Sequence, residues 1–351
     1  MTGDTRTALL SALASEAEPG AAELCDVLGD VLRGPNGDGP VAVDRLRARV
    51  YRLRLGSNGG SHSFMLRLFD PWLAWRNELV VRRWLPALGL GDRCARLVAT
   101  AADRVGRWVW HVYDDLGEAP VNPASQDTTQ AAMVMELLAE LHIRAARHAL
   151  VPECRHYCGS LGAAYLTANV RDAITVLEEL SPPRLDPTLE QCALRDGLLA
   201  RLYRLREELP RRLRLLETLG GPDTLLHGDL WTDNAFVMPG PEGPVARFIG
   251  WDHAAVGPVS YDLSTFLYRF PSSERPWILE AYRCKAARED WYLPTARDLN
   301  ALFETAEYAR YANRVIWPAV ALLEQGAPWG FQRLAQVERW FDGLQPALPL
   351  N

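Results

Sequence analysis

The stretch Leu225-Leu226-His227-Gly228-Asp229-Leu230-Trp231-Thr232-Asp233-Asn234-Ala235-Phe236-Val237 decides how this chain is read. Its apolar ends have strand character, and its polar middle reads as a tight loop between strands. Within that loop an aspartate is followed five residues later by an asparagine. Moving a phosphoryl group onto a hydroxyl needs an acceptor for the hydroxyl proton and hard oxygen ligands for a divalent cation on the phosphates. Asp229 and Asn234 offer both, at the interval such loops use. The alternative is a surface turn rich in Asp and Asn, and the sequence downstream argues against it.

Downstream run Arg247-Phe248-Ile249-Gly250-Trp251-Asp252-His253-Ala254 and Gly257-Pro258-Val259-Ser260-Tyr261-Asp262-Leu263. With the His-Gly-Asp-x-x-x-x-Asn motif at 227–234, this resembles the aminoglycoside phosphotransferase and choline kinase family. The resemblance spans most of residues 45–345 and is specific around 225–267. It implies an ATP-dependent phosphotransferase acting on a hydroxyl of a small molecule, with ATP and Mg²⁺ as cofactors. By the resemblance Asp229 is the catalytic base, Asn234 a metal ligand and His227 a loop-organising residue. Asp262 is then a structural residue that caps the following helix and braces the catalytic loop.

The chain departs from the family at Gly250, where members carry an aspartate that is the principal Mg²⁺ ligand. Glycine offers no side-chain oxygen. Three readings are open: a weak or inactive kinase, a variant or engineered form of an active one, or a metal site in which Asp252 substitutes. Residues i and i+2 share a face of an extended strand about 7 Å apart, which keeps the third reading open. Two other functions also stay open, a non-catalytic kinase-like binding protein and a kinase acting on Ser or Thr of a peptide in natural-product biosynthesis.

Towards the N-terminus, 49–55 alternates in polarity, 56–60 is a glycine-rich turn and 64–69 returns as a second strand, which makes a hairpin. Trp75 to Leu85 has helical spacing, and Arg107 to Val112 is a strand rich in aromatic and β-branched residues. The resemblance implies a strand lysine on the phosphates, held by a helix glutamate. Here those positions are offered by Arg67 and Glu78; a solvated strand arginine and a helix-surface glutamate are the alternative. Arginine binds phosphate and pairs with carboxylate, though not with lysine's geometry. Lys285 is the single lysine, so arginine at 67 fits the habit of the whole chain. Residues 43–55 contain no glycine, and Gly56, Gly59 and Gly60 make a poor phosphate cradle. Trp108 to Gly117 resembles the strand and hinge that hold adenine, with backbone groups near Val112, Tyr113 and Asp114 bonding the base.

Elsewhere the spacing predicts helices over 7–33, broken near Glu18-Pro19-Gly20, then a loop at 34–40. Further helices are expected over 128–148, 160–181, 186–219, 300–325 and 329–344. The expected fold is therefore α+β, a two-lobed protein-kinase-like fold with a small antiparallel-sheet N-lobe and a larger, mostly helical C-lobe. Residues 1–115 would hold the N-terminal helices and the nucleotide-binding sheet lobe, and 116–351 the catalytic loop and acceptor site. On the 300–325 helix, Glu304, Glu307, Tyr308, Tyr311 and Trp317 would suit a cationic or sugar-like acceptor. The simpler reading is a solvated acidic face with aromatic core contacts.

The net charge of −6 excludes a global attraction to nucleic acid or to an anionic membrane, so phosphate binding must be local. No uncharged apolar stretch reaches about 18 residues, and 1–6 lacks the basic start of a signal peptide. A cytoplasmic protein is the expectation. The six cysteines are scattered, and Cys154, His156 and Cys158 do not have zinc-finger spacing, so reduced structural cysteines are expected.

Overall fold

The computed structural model describes residues 3–14, 18–31, 41–57, 60–125 and 127–349. The loop expected at 34–40 and the tip of the 56–60 turn, Asn58 and Gly59, lie outside these. The chain divides into two compact units, Met1–Asn122 with Asp233–Ala254, and Pro123–Thr232 with Ala255–Asn351.

The first unit opens with helices α1 (Gly3–Ala14) and α2 (Ala21–Val31). Strands β1 (Val41–Arg47), β2 (Val50–Ser57) and β3 (Gly60–Phe69) follow. Helix α3 (Pro71–Leu79) continues through a π-helical turn, Val80–Trp84, into α4 (Leu85–Ala87), and β4 (Leu97–Ala102) and β5 (Val109–Asp114) complete the sheet. The strand order is β1-β2-β3-β5-β4, with every neighbouring pair antiparallel.

Alternation along the strands explains what each sheet face does. Tyr51, Leu53, Leu55, Phe64, Leu66, Leu68, Trp110 and Val112 are buried on one face, in one core with Leu9, Leu13, Leu24 and Leu28 of the two N-terminal helices. Residues of the opposite parity, Val50, Arg52, Arg54, Met65 and Arg67, line a cleft instead. The β2–β3 register sets Arg52 opposite Met65 and Val50 opposite Arg67. The returning segment contributes a hairpin, β7 (Ala235–Gly240) and β8 (Gly243–Phe248). It is tied in by Phe248 N–H to Arg93 O at 2.9 Å and Val121 N–H to Ala235 O at 2.9 Å.

The second unit is helical: α5 (Thr129–Ala146), α6 (Val151–Cys158), α7 (Ala163–Glu178), α8 (Leu189–Leu219), α9 (Ser260–Leu267), α10 (Arg275–Ala287), α11 (Ala296–Gln325) and α12 (Trp329–Gly343). Strands β6 (Thr224–Leu226) and β9 (Ala255–Gly257) pair antiparallel within it. Helix α8 starts where the sequence provides a capping box, Thr188 with Gln191. Leu166, Val170, Ile174, Leu198, Leu202 and Val315 belong to one buried core of it.

The architecture is α+β, and the five longer helices expected after residue 128 are present. Helix α9 has no counterpart in the sequence reading, because all eight of its residues are buried and leave no polar stripe to set a period.

Candidate nucleotide cleft and catalytic loop

The open face of the five-stranded sheet lines a cavity of about 620 Å³, within the range of a nucleotide-sized site. Its walls come from β2 and β3, from the stretch 113–118 after β5, and from the β7–β8 hairpin with Asn234 and Gly250. Arginines line it on the sheet side. Arg52 meets the Asp115 carboxylate with two nitrogens, Nε at 2.7 Å and Nη2 at 3.2 Å. It also donates to Gly117 O at 2.7 Å and to Glu118 at 2.8 Å. Arg54 pairs with Asp44 and with the same Glu118. Charge pairing thus tethers β1 and β2 to the segment after β5.

Arg67 lines the cleft as expected, but its partner is Asp252 and not Glu78. Asp252 also accepts from Asn77 Nδ2 at 3.0 Å, and its backbone carbonyl accepts from Arg76 Nη1 at 2.8 Å. Glu78 is instead paired with Arg82 one turn on, at 2.7 Å. Adjacent helix positions differ by about 100°, so the buried Asn77 is the residue of α3 that faces Asp252. The π-helical turn begins three residues after Asn77.

The backbone expected to bond the base, near Val112 to Asp114, is partly spent in the sheet. Strand β5 lies between β3 and β4, whose ladders occupy it on both sides. Asp114 N–H goes to Arg96 O and Asp115 N–H to Ser63 O. Val112 is fully buried on the helix-covered face, whereas Tyr113 and Asp114 line the cleft. The stretch beyond, 115–118, also lines the cleft, with Gly117 N–H on Asp115 Oδ1 and Gly117 O on Arg52. Tyr113 Oη lies 2.8 Å from His111 Nδ1, and burial pulls the His111 pKa down to about 3.

In the second unit, Asp229 follows the backbone of His227 and Gly228, whose N–H groups donate to Asp262 at 2.7 and 2.8 Å. Asp262 is wholly buried and is also 3.3 Å from His142 Nε2, and His142 Nδ1 lies 3.0 Å from the Tyr282 hydroxyl. Burial alone would raise the Asp262 pKa. The hydrogen bond to His142, the electrostatics of His142 and His227, and the N–H donor of Gly228 hold it below the ordinary carboxylate value instead. Asp262 therefore braces the loop; it makes no side-chain cap on α9. Trp231 N–H closes back onto Asp229 O at 2.8 Å.

The acidic residues of α11 do not form an open acidic face. Glu307 is ion-paired to Arg310 and Glu304 to Arg212. Tyr308 and Tyr311 pack on Phe341, and Trp317 stands exposed. Sequence reasoning missed Arg269, which lies 4.1 Å from the centre of the Trp231 ring in the 227–234 loop. It also missed the Arg52–Asp115 pair.

The model of the phosphotransferase enzyme family matches residues 42–299. The chain belongs to that family. Its fold is similar to that of an aminoglycoside 2'-phosphotransferase-IIIa solved as a GDP complex, with a TM-score of 0.60 at 15% identity over 91% of this chain and 99% of that one. It is similar to Plasmodium vivax ethanolamine kinase, with a TM-score of 0.56 at 13% identity over 88% and 85% of the two chains. A macrolide 2'-phosphotransferase from Brachybacterium faecium gives 0.53 at 17% identity, over 90% and 96%. No curated protein matches the chain in sequence. These likenesses establish a kinase-like fold.

In this phosphotransferase-family chain the first unit does not fit a protein-held Mg²⁺. Gly250 adopts φ 76° and ψ 52°, and a Cβ built on it would lie 2.8 Å from Asn234 Oδ1. Asn234 therefore occupies the space next to the missing carboxylate. The Asp252 carboxylate is committed to Arg67 and Asn77. Among the described residues no three His, Cys, Asp or Glu side chains cluster as a metal site. A hard divalent cation wants several charged oxygens, and in the cleft wall the nearest cationic group to that carboxylate is a guanidinium.

Proposed function

We propose that the chain is a nucleotide-dependent phosphotransferase that moves the γ-phosphoryl group of ATP to a hydroxyl of a small molecule. The observation that carries this is the double anchoring of the loop, His227 N–H and Gly228 N–H on the buried Asp262, which fixes the backbone bearing Asp229. Such fixing suits a positioned proton acceptor. In the step proposed, the acceptor oxygen attacks the γ-phosphorus, its proton passes to the Asp229 carboxylate, and the bond to the bridging oxygen breaks to release ADP. Arg67 faces the phosphates in the cleft, and 115–118 the base. The carboxylates of Asp44, Asp115, Glu118 and Asp252 are paired with arginines, so no step is assigned to Mg²⁺. The solved proteins of like fold include a GDP complex, an ethanolamine kinase and a macrolide phosphotransferase, which supports a small hydroxyl acceptor.

The test is phosphoryl transfer from radiolabelled ATP and GTP by the full chain and by Asp229→Asn. Turnover should fall about 10²–10⁴-fold in the variant, the usual worth of a positioned base. Equal rates would remove Asp229 from the chemistry. Gly250 and the committed Asp252 favour a second reading, a kinase-like protein that binds nucleotide without turning it over. Nucleotide binding with no transfer by the wild type or by Gly250→Asp would favour that one.

A further inference from the structure

Against the loop that bears Asp229 lies a guanidinium that makes no ion pair among the described residues. Arg269 lies just past the end of α9, half-buried, with its guanidinium stacked on Trp231. Trp231 is two residues beyond Asp229 and bonded back to its carbonyl. The Arg269 Nε is buried without a hydrogen-bond partner, and among the described residues its guanidinium makes no ion pair.

Arg310 shares the unpartnered Nε, but it and Arg212 are ion-paired. Arg310 is held by Glu307, Thr265 and Tyr261 O, and Arg212 by Glu208, Glu304 and Thr305. The acidic side chains of α11 that could have met a cationic acceptor are therefore spent internally. What remains against Trp231, two residues past Asp229, is a guanidinium with no ion pair among the described residues. Burial lowers the Arg269 pKa, with the charges of Glu307 and Asp229 acting against that shift.

A half-buried guanidinium whose Nε is withdrawn from water unpaired gains from an anion docking on it. Its planar fork matches a carboxylate or phosphate with two parallel hydrogen bonds, and the Trp231 face keeps the fork oriented. We infer that the acceptor carries an anionic group, a carboxylate or a phosphate, close to the hydroxyl that is phosphorylated, and that Arg269 binds it. This rests on the reading of Asp229 as the proton acceptor. It also reverses the cationic acceptor that the acidic residues of α11 suggest in the sequence.

Binding is measured calorimetrically without nucleotide, so that the result does not depend on turnover. The probes are D-glycerate against glyceramide, and glycerol 3-phosphate against glycerol, each offered to the full chain, to Arg269→Gln and to Arg269→Lys. The expected result is that at least one anionic probe binds the wild type about tenfold or more tightly than its neutral partner, the worth of one charge-assisted pair. The preference is lost in Arg269→Gln and partly kept in Arg269→Lys. The pair that shows it tells carboxylate from phosphate. Equal binding of anionic and neutral probes, no saturable binding of either anionic probe, or a preference that survives Arg269→Gln would overturn the inference. So would a loss of ATP affinity in Arg269→Gln equal to its loss of anion affinity, because the guanidinium would then serve the nucleotide. A wild type that selects anions but transfers no phosphoryl group counts against the phosphotransferase reading alone.

Discussion

The guanidinium of Arg67 on β3 is ion-paired to the carboxylate of Asp252, two residues beyond Gly250. Both side chains are largely buried, 23% and 14% exposed, so the pair is not a solvent-screened surface contact. Asp252 competes with a nucleotide phosphate for the same donors. Arg67→Ala should weaken ATP binding by about 1–3 kcal/mol, the worth of a charge-assisted hydrogen bond. Asp252→Asn should do the opposite, strengthening ATP binding while lowering fold stability, because it releases Arg67. Calorimetry with ATP and a urea melt read both effects. Weaker ATP binding in Asp252→Asn would instead make Asp252 a metal ligand.

Gly250→Asp should convert nucleotide binding from metal-insensitive to metal-dependent. The left-handed backbone at Gly250 is one that aspartate tolerates better than most residues, and the close atom is the far end of the Asn234 side chain, which can rotate. The wild type should bind ATP with similar affinity in Mg²⁺ and in EDTA. The variant should bind about tenfold more tightly with Mg²⁺, a gain of about 1.4 kcal/mol. A wild type that loses ATP on adding EDTA would show that other groups hold the metal.

How much of this was legible depends on the kind of contact. Alternation at 50–55 and 64–69 gave the sheet and the face that Arg67 occupies, because period two fixes a side-chain direction locally. The glycine at 250 is visible by position alone. The partner of Arg67 was not, since Asp252 lies 185 positions along the chain and only tertiary packing brings it to β3, where Asn77 rather than Glu78 meets the same carboxylate. Which β5 groups are spent was not legible either, because it depends on the order of strands, which puts β5 between β3 and β4. Arg269 and Trp231 lie 38 positions apart, and a ring stacked on a guanidinium leaves no spacing signature.

Asp262→Ala should cost about 3–5 kcal/mol of stability, the range for removing one partner of a buried charged network. It would orphan the N–H groups of His227 and Gly228 and the Nε2 side of His142 together. Denaturant midpoints of the full chain measure this. A loss under about 1 kcal/mol would mean that the loop holds itself without Asp262.

The last prediction concerns pH and His111. This side chain is fully buried, with Nδ1 on the Tyr113 hydroxyl and Nε2 unbonded. Burial, then the charges of Arg82 and Arg67, pull its pKa to about 3, and Asp252 opposes them. In the unfolded chain the value is about 6.5. Between those values the unfolded state binds a proton that the folded state refuses. Stability is therefore complete above about pH 6.5 and falls with acid at about 1.4 kcal/mol per pH unit, down to about pH 3. Depressed carboxylates such as Asp262 titrate mainly below this range, so the interval from about pH 6.5 to 5 isolates the histidine. His111→Asn keeps a hydrogen-bonding atom near Nδ1 and cannot titrate. Urea melts over that interval should show the wild type losing about 1–2 kcal/mol more than the variant. Parallel stability curves for the two proteins would mean that His111 takes up its proton in the folded state.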